Sequence, residues 1–198
     1  MRNTFDISHE LNDRITTGTI LLFDMDGTLV DTNFANYLSY RQAIQEVMHG
    51  ELDIPFNSSI RFSREELKKT MPHLSDSERN KIISLKAEYC KKYLPETKLN
   101  TALVDILGKF NKTNEAVLVT NCQEDRAIMT LKYHGLIGSF SHVFCQQNTG
   151  EENKINKYEN ALIRLGVHPT CVFVFENETA DVNDATLAGV PRENIISI

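Results

Sequence analysis

The chain has 198 residues, 41% hydrophobic and 24% charged, with a formal net charge of -6. That length closes one full hydrophobic core and leaves room for a cap-sized insertion. No apolar run approaches the ~20 residues of a membrane helix, an acidic chain without a Lys/Arg cluster does not suit a nucleic-acid backbone, and residues 1–18 lack a signal-like apolar centre, so a cytoplasmic protein with no membrane and no nucleic-acid partner is expected.

Along the chain, residues 1–18 read as an N-terminal extension, mixing acids, Asn and Thr with few apolar positions. An apolar run at 20–23 follows, and comparable runs recur at 116–119, 142–145 and 171–175, with a weaker one at 194–198. Helical patterns separate them, and runs apolar on both faces suit strands covered on each side. The expectation is a three-layer α/β/α core with a mostly parallel sheet. About ninety residues lie between the first two runs, far more than one crossover helix requires.

Within that stretch, Phe34, Tyr37, Leu38, Ile44, Val47 and Met48 form one helical stripe. Capping-box patterns follow at Ser63/Glu66 and Ser75/Glu78, then a second stripe of Ile82, Ile83, Tyr89, Cys90, Tyr93 and Leu94. A small helical domain is therefore expected at 33–95, inserted into a core made of 19–32 and 96–198, with hinges near 31–32 and 95–96. Leu99, Leu103, Ile106, Leu107 and Phe110 make the core helix that leads into the second strand. Ile155, Tyr158, Leu162 and Leu165 precede Gly166, and Val182, Ala185 and Ala188 precede Gly189, two helices with glycine as the expected stop. The four cysteines, Cys90, Cys122, Cys145 and Cys171, show no C-x-x-C spacing and read as buried free thiols rather than zinc ligands.

The chemistry concentrates at FDMDGTLVD, residues 23–31. Asp24 and Asp26 follow the first strand, and ligands of open parallel sheets gather at the carboxyl ends of the strands. The i, i+2 spacing puts both carboxylates on one side of an extended chain. Gly27 permits a tight turn, and Thr28 can bond the local backbone or a phosphate oxygen. Acids alone repel a phosphate dianion, so a divalent cation is required, and magnesium suits all-oxygen ligands. A carboxylate nucleophile splits phosphoryl transfer into two steps, and a neighbouring acid handles the protons.

This nine-residue string resembles the first motif of the haloacid dehalogenase-like hydrolases, and the resemblance extends in order over residues 19–198. It implies that Asp24 attacks phosphorus to form an aspartyl phosphate and that Asp26 serves as general acid and then base. It implies a second motif at 117–121, where Thr120 and Asn121 hold the transferring phosphoryl group. A third-motif lysine is assigned to Lys154, with Lys157 as its rival because the prolines usual in capped relatives are missing. The fourth motif is the acidic loop 175–182. There Asn177 occupies the position of the direct magnesium ligand, Glu176 and Asp181 are the flanking acids, and Glu178 is an alternative. The metal set implied is thus Asp24, Asp26, Asn177, Glu176 and Asp181.

The position of the insertion resembles the helical cap of the β-phosphoglucomutase-like and phosphoglycolate phosphatase-like branch, which closes over the active site and selects the substrate. The expected function is a magnesium-dependent phosphatase acting on a small phosphorylated metabolite. A phosphomutase of the β-phosphoglucomutase type, or a phosphometabolite-binding protein with weakened catalysis, are the alternatives.

Overall fold

The structure, a computed structural model, describes residues 11–50, 54–145 and 155–198. It divides into two compact units, Met1–Val30 with Leu99–Ile198, and Asp31–Lys98. In chain order the elements are β1 (Ile20–Phe23), β2 (Val30–Asp31), α1 (Asn33–Met48), α2 (Arg64–Thr70), α3 (Asp76–Tyr89), β3 (Lys98–Leu99), α4 (Thr101–Phe110), β4 (Ala116–Val119), α5 (Glu124–Tyr133), β5 (His142–Phe144), α6 (Lys157–Leu165), β6 (Val172–Glu176), α7 (Thr179–Leu187) and β7 (Ile195–Ser197).

The larger unit is built on a five-stranded sheet in the order β5-β4-β1-β6-β7. Every pairing in it is parallel. Alternate strand residues serve opposite faces, as a period of two demands. Leu21, Phe23, Leu118, Phe173 and Phe175 join Leu103, Ile106, Leu107 and Phe110 of α4 and Ala127 and Leu131 of α5 in one cluster. Ile20, Leu22, Val117, Val119, Val172 and Val174 join Tyr158, Ala161 and Leu162 of α6 and Val182 and Ala185 of α7 in the other. This is the expected three-layer α/β/α core, and it explains why the strand sequences are apolar throughout rather than alternating.

The register pairs Phe23 with Phe175 across β1 and β6, and their rings stack at 4.5 Å. Leu11 and Ile15, from the segment read as an extension, are buried in the first cluster. The chain leaves central β1 towards β4 and β5 and later returns to its other side through β6 and β7, so β1 borders the topological switch point where open α/β sheets bind ligands.

A separate two-stranded ribbon pairs β2 with β3, the two segments at which the chain passes from one unit to the other. In the smaller unit, α1 and α3 pack together, and Tyr37, Tyr40, Ala43, Ile44, Phe62, Leu67, Met71 and Ile82 belong to its core. Two of its buried polar side chains reach backbone carbonyls: Tyr37 donates to the Ile54 carbonyl at 2.6 Å, and Asn36 to that of Phe62 at 2.7 Å. Ser75 and Glu78 form a complete capping box at the start of α3, and Ser63 accepts from the Glu66 amide at the start of α2.

Two sequence expectations shift. Ile155 is 52% exposed and precedes α6, which Asn156 caps by accepting from the Glu159 amide, so the helix begins two residues later than its stripe suggested. Cys90 and Cys122 are buried free thiols, but Cys145 is half-buried and Cys171 is exposed, because β6 starts one residue after Cys171. Among the described residues no helix is long and apolar enough to cross a membrane.

Candidate active site

Three parallel strands, β4, β1 and β6, deliver Thr120, Asp24 and Glu176 to one edge of the sheet. The ladder reaches into the site: the Asp24 amide donates to the Phe175 carbonyl at 3.1 Å and the Thr120 amide to that of Phe144 at 2.9 Å. Backbone position here is fixed by the sheet rather than by loops. The turn after Asp24 is equally constrained. The Met25 carbonyl accepts from Leu29 and Val30, and the Gly27 amide donates to the Val30 carbonyl at 2.8 Å.

Gly27 holds φ +88, a conformation that costs little only for glycine, and a Cβ placed there would lie 2.6 Å from Asn177 Nδ2. The buried Thr28 hydroxyl donates to Asn177 Oδ1 at 2.7 Å. Gly27→Ala is expected to lower stability by about 1–3 kcal/mol, since the strained backbone and the displaced Asn177 act together. Urea denaturation measures it, and a midpoint equal to wild type would contradict this account.

Asp24 is 5% exposed and accepts from Lys157 Nζ at 2.7 Å. The same ammonium donates to Glu176 Oε2 at 2.8 Å and to Asp181 Oδ2 at 2.6 Å. Its three hydrogens therefore serve three carboxylates. Lys157 is placed there because Asn156 caps α6 and makes Lys157 the first helical residue, next to Tyr158 on the buried side. Lys154, the lysine assigned from sequence, lies outside the described residues, and it is Lys157 that meets Asp24.

Glu176 is fully buried, and all of its acceptor capacity is engaged. Oε1 accepts from the Asn177 and Glu178 amides at 2.9 and 3.1 Å. Oε2 accepts from Lys157 and from the Tyr158 hydroxyl. Burial, with Glu176 beside it, pushes the Tyr158 hydroxyl well above its ordinary value and keeps it a donor.

Asp24, Glu176 and Asp181 bring carboxylate oxygens within 4.8 Å of one another. Three carboxylates against one ammonium leave two negative charges over. Burial pushes Asp24 up to about 7, against the attraction of Lys157 and with the repulsion of Glu176 and Asp26. Burial opposes the charge of Lys157, yet Asp24, Glu176 and Asp181 together raise its proton affinity, so the ammonium stays charged. An all-oxygen donor set with a deficit of two positive charges fits a hard divalent cation. Asp24 and Asp181 are the carboxylates best able to hold one, because the oxygens of Glu176 are already occupied by four donors.

The remaining sequence candidates fall around this cluster. Asp26 turns its carboxylate to Arg126 of α5, at 2.6 and 3.2 Å, and Asn177 faces Thr28. Thr120 is buried, with its hydroxyl accepting from the Cys122 amide at 3.1 Å. Asn121 is exposed and donates to Asp181 at 3.3 Å. Burial lifts the Cys122 thiol to about 12, which makes it a poor nucleophile. Arg126 and the hydroxyl of Tyr158 were missed in the sequence. Arg126 looks like any solvated helix arginine, and Tyr158 was legible only as part of an apolar stripe.

Comparison with known proteins bears on this arrangement. A family model described as haloacid dehalogenase-like hydrolase matches residues 21–194. No curated protein matches the chain. Among solved structures, the chain is similar to a Thermotoga maritima protein named as a β-phosphoglucomutase, at 26% identity and a TM-score of 0.66, covering 90% of this chain and 84% of that one. It is also similar in fold to a Clostridium acetobutylicum protein described as a predicted phosphatase, at 16% identity and a TM-score of 0.74, covering 92% and 85%. A Haemophilus somnus protein described as a predicted phosphoglycolate phosphatase has 18% identity and a TM-score of 0.71, with 90% and 84% covered.

Proposed function

We propose, from the premise that the chain belongs to the haloacid dehalogenase-like hydrolase family, that it is a magnesium-dependent phosphatase of small phosphorylated metabolites. The observation that carries this reading is Asp24, a buried carboxylate at the end of the central strand, 2.7 Å from Lys157 and two residues before a second acid. Asp24 attacks phosphorus and becomes an aspartyl phosphate. Asp26 gives a proton to the departing ester oxygen and then takes one from the hydrolytic water. Lys157 takes the part that the sequence assigned to Lys154, lowering the charge of the nucleophile and of the incoming phosphoryl oxygens together. Thr120 and Asn121 hold those oxygens at the end of β4.

Asp24 and Asp181 would hold the magnesium, with Asn177 turned to Thr28 and Asp26 kept for proton transfer. When bound, the ion supplies charge neutralisation for the transferring group. With Asn177 in place of a charged ligand, affinity for the ion is expected to be modest. The four free cysteines suit a reducing, cytoplasmic setting.

A panel of phosphorylated metabolites, assayed for phosphate release with magnesium and with EDTA, tests the reading. Release from at least one ester that depends on magnesium is expected, and equal background rates in both conditions would overturn it. A phosphomutase is the second reading, favoured by the similarity to the Thermotoga maritima protein. Hexose phosphates distinguish the two, since a mutase yields an isomer and a phosphatase yields inorganic phosphate.

A further inference from the structure

We propose that Arg126 is the positioning residue for Asp26, fixing that carboxylate so that Oδ1 faces the ester oxygen of the substrate. This rests on the phosphatase reading above. The backbone of Asp26 is already held by the turn: Asp26 forms a bridge with Val30, and the next amide donates to the Val30 carbonyl at 2.8 Å. What remains variable is the side chain, and the guanidinium fork decides it.

The two contacts differ. Nη2 donates to Oδ2 at 2.6 Å, a short charge-assisted bond, whereas Nη1 reaches Oδ1 at 3.2 Å, near the long end of the range. Oδ2 is thus the anchored oxygen and Oδ1 the one that can exchange a proton. Arg126 is held in turn. It lies in the first turn of α5, its carbonyl accepts from the Thr130 hydroxyl at 2.8 Å, and its charge acts on the Cys122 thiol against the effect of burial. The Cys122 amide donates to Thr120 Oγ1 at 3.1 Å.

The Arg126 and Asp26 side chains are 23% and 16% exposed, so solvent screens the pair only in part. Its use lies in geometry, because a planar fork fixes both carboxylate oxygens where a lysine fixes one point. In the transfer, the bond from Asp24 to phosphorus forms while the bond to the ester oxygen breaks. The electron pair passes to that oxygen, which takes the proton from Oδ1. The same Oδ1 later takes a proton from the water that cleaves the aspartyl phosphate.

The test compares p-nitrophenyl phosphate, whose leaving group departs without a proton, with phenyl phosphate, whose leaving group needs one. Under saturating magnesium, Arg126→Gln is expected to lower kcat/KM, which reports only the steps up to the aspartyl phosphate, by about tenfold or more on phenyl phosphate and much less on p-nitrophenyl phosphate, with KM little altered on either. Arg126→Lys should recover part of the loss, and Arg126→Gln should add nothing in an Asp26→Asn background. Equal losses of kcat/KM on both esters, a loss confined to KM, or full additivity with Asp26→Asn would overturn the inference. If Arg126→Gln does not fold, the same ratio in Arg126→Lys decides, unequal losses supporting it and equal losses overturning it. Absence of wild-type turnover on either ester overturns the phosphatase reading and this inference with it, whereas wild-type turnover with equal losses overturns the inference alone.

Discussion

Asp24→Asn is expected to lower magnesium-dependent phosphate release by about 10³-fold or more, because an amide cannot form the acyl phosphate that splits the transfer into two steps. The fold should survive the change. Asp24 is nearly isosteric with Asn, and the substitution removes one of three carboxylates that share a single ammonium. A lost activity in a folded protein separates this outcome from a structural failure.

The pH dependence of stability sharpens the test. Burial raises Asp24 from 3.8 to about 7, so the folded protein binds its proton more tightly than the unfolded chain does. The stabilising contribution of that proton is complete below the unfolded value of 3.8 and is lost as pH rises through about 7. Wild type without metal should therefore lose stability between about pH 4 and pH 7, and Asp24→Asn should lose less over the same range. Thermal melts in EDTA across that range measure the difference. Parallel curves would show that Asp24 is not the group responsible, and retained phosphate release in Asp24→Asn would remove it as nucleophile.

Lys157→Met carries the second large effect. It leaves Asp24, Glu176 and Asp181 without the cation that meets all three at 2.6–2.8 Å. Removing one partner of a buried ion pair typically costs about 3–5 kcal/mol, since the charge left behind is neither solvated nor paired. The loss should be greatest where the carboxylates must ionise, at neutral pH and above, and should shrink in acid as protonation relieves the repulsion. Urea midpoints at about pH 5 and pH 8 read this sign directly. A variant as stable as wild type at both values would contradict the assignment. Lys154→Met provides the contrast that separates the two lysines, with near-wild-type stability and activity expected.

The alternation of apolar runs and helical stripes was enough to predict the three-layer core, because a strand covered on both faces has no polar side and so announces itself in sequence. The string at 23–31 was equally informative, since strand end, acid pair, glycine turn and threonine occur together in an order that chemistry requires. Family membership followed from the same residues and the match over residues 21–194.

Other features were settled only by tertiary structure. Lys154 and Lys157 are three residues apart, and the periodicity of Tyr158 and Leu162 did not fix where α6 begins. The Asn156 cap does, and it puts Lys157 beside Asp24. The acidic loop offered several ligand candidates in a row. Three-dimensional packing divides them, turning Asn177 to Thr28, saturating Glu176 with four donors and bringing Asp181 to Lys157. Arg126 carried no signal at all, being a charged residue on a helix that contacts its partner 100 positions away. Local sequence thus determined the strands, the turn and the place of Asp24 at the end of β1, which depend on short-range geometry. Which charges face one another was decided by the order of the strands in the sheet, because electrostatic pairing depends on distance in space and not on separation along the chain.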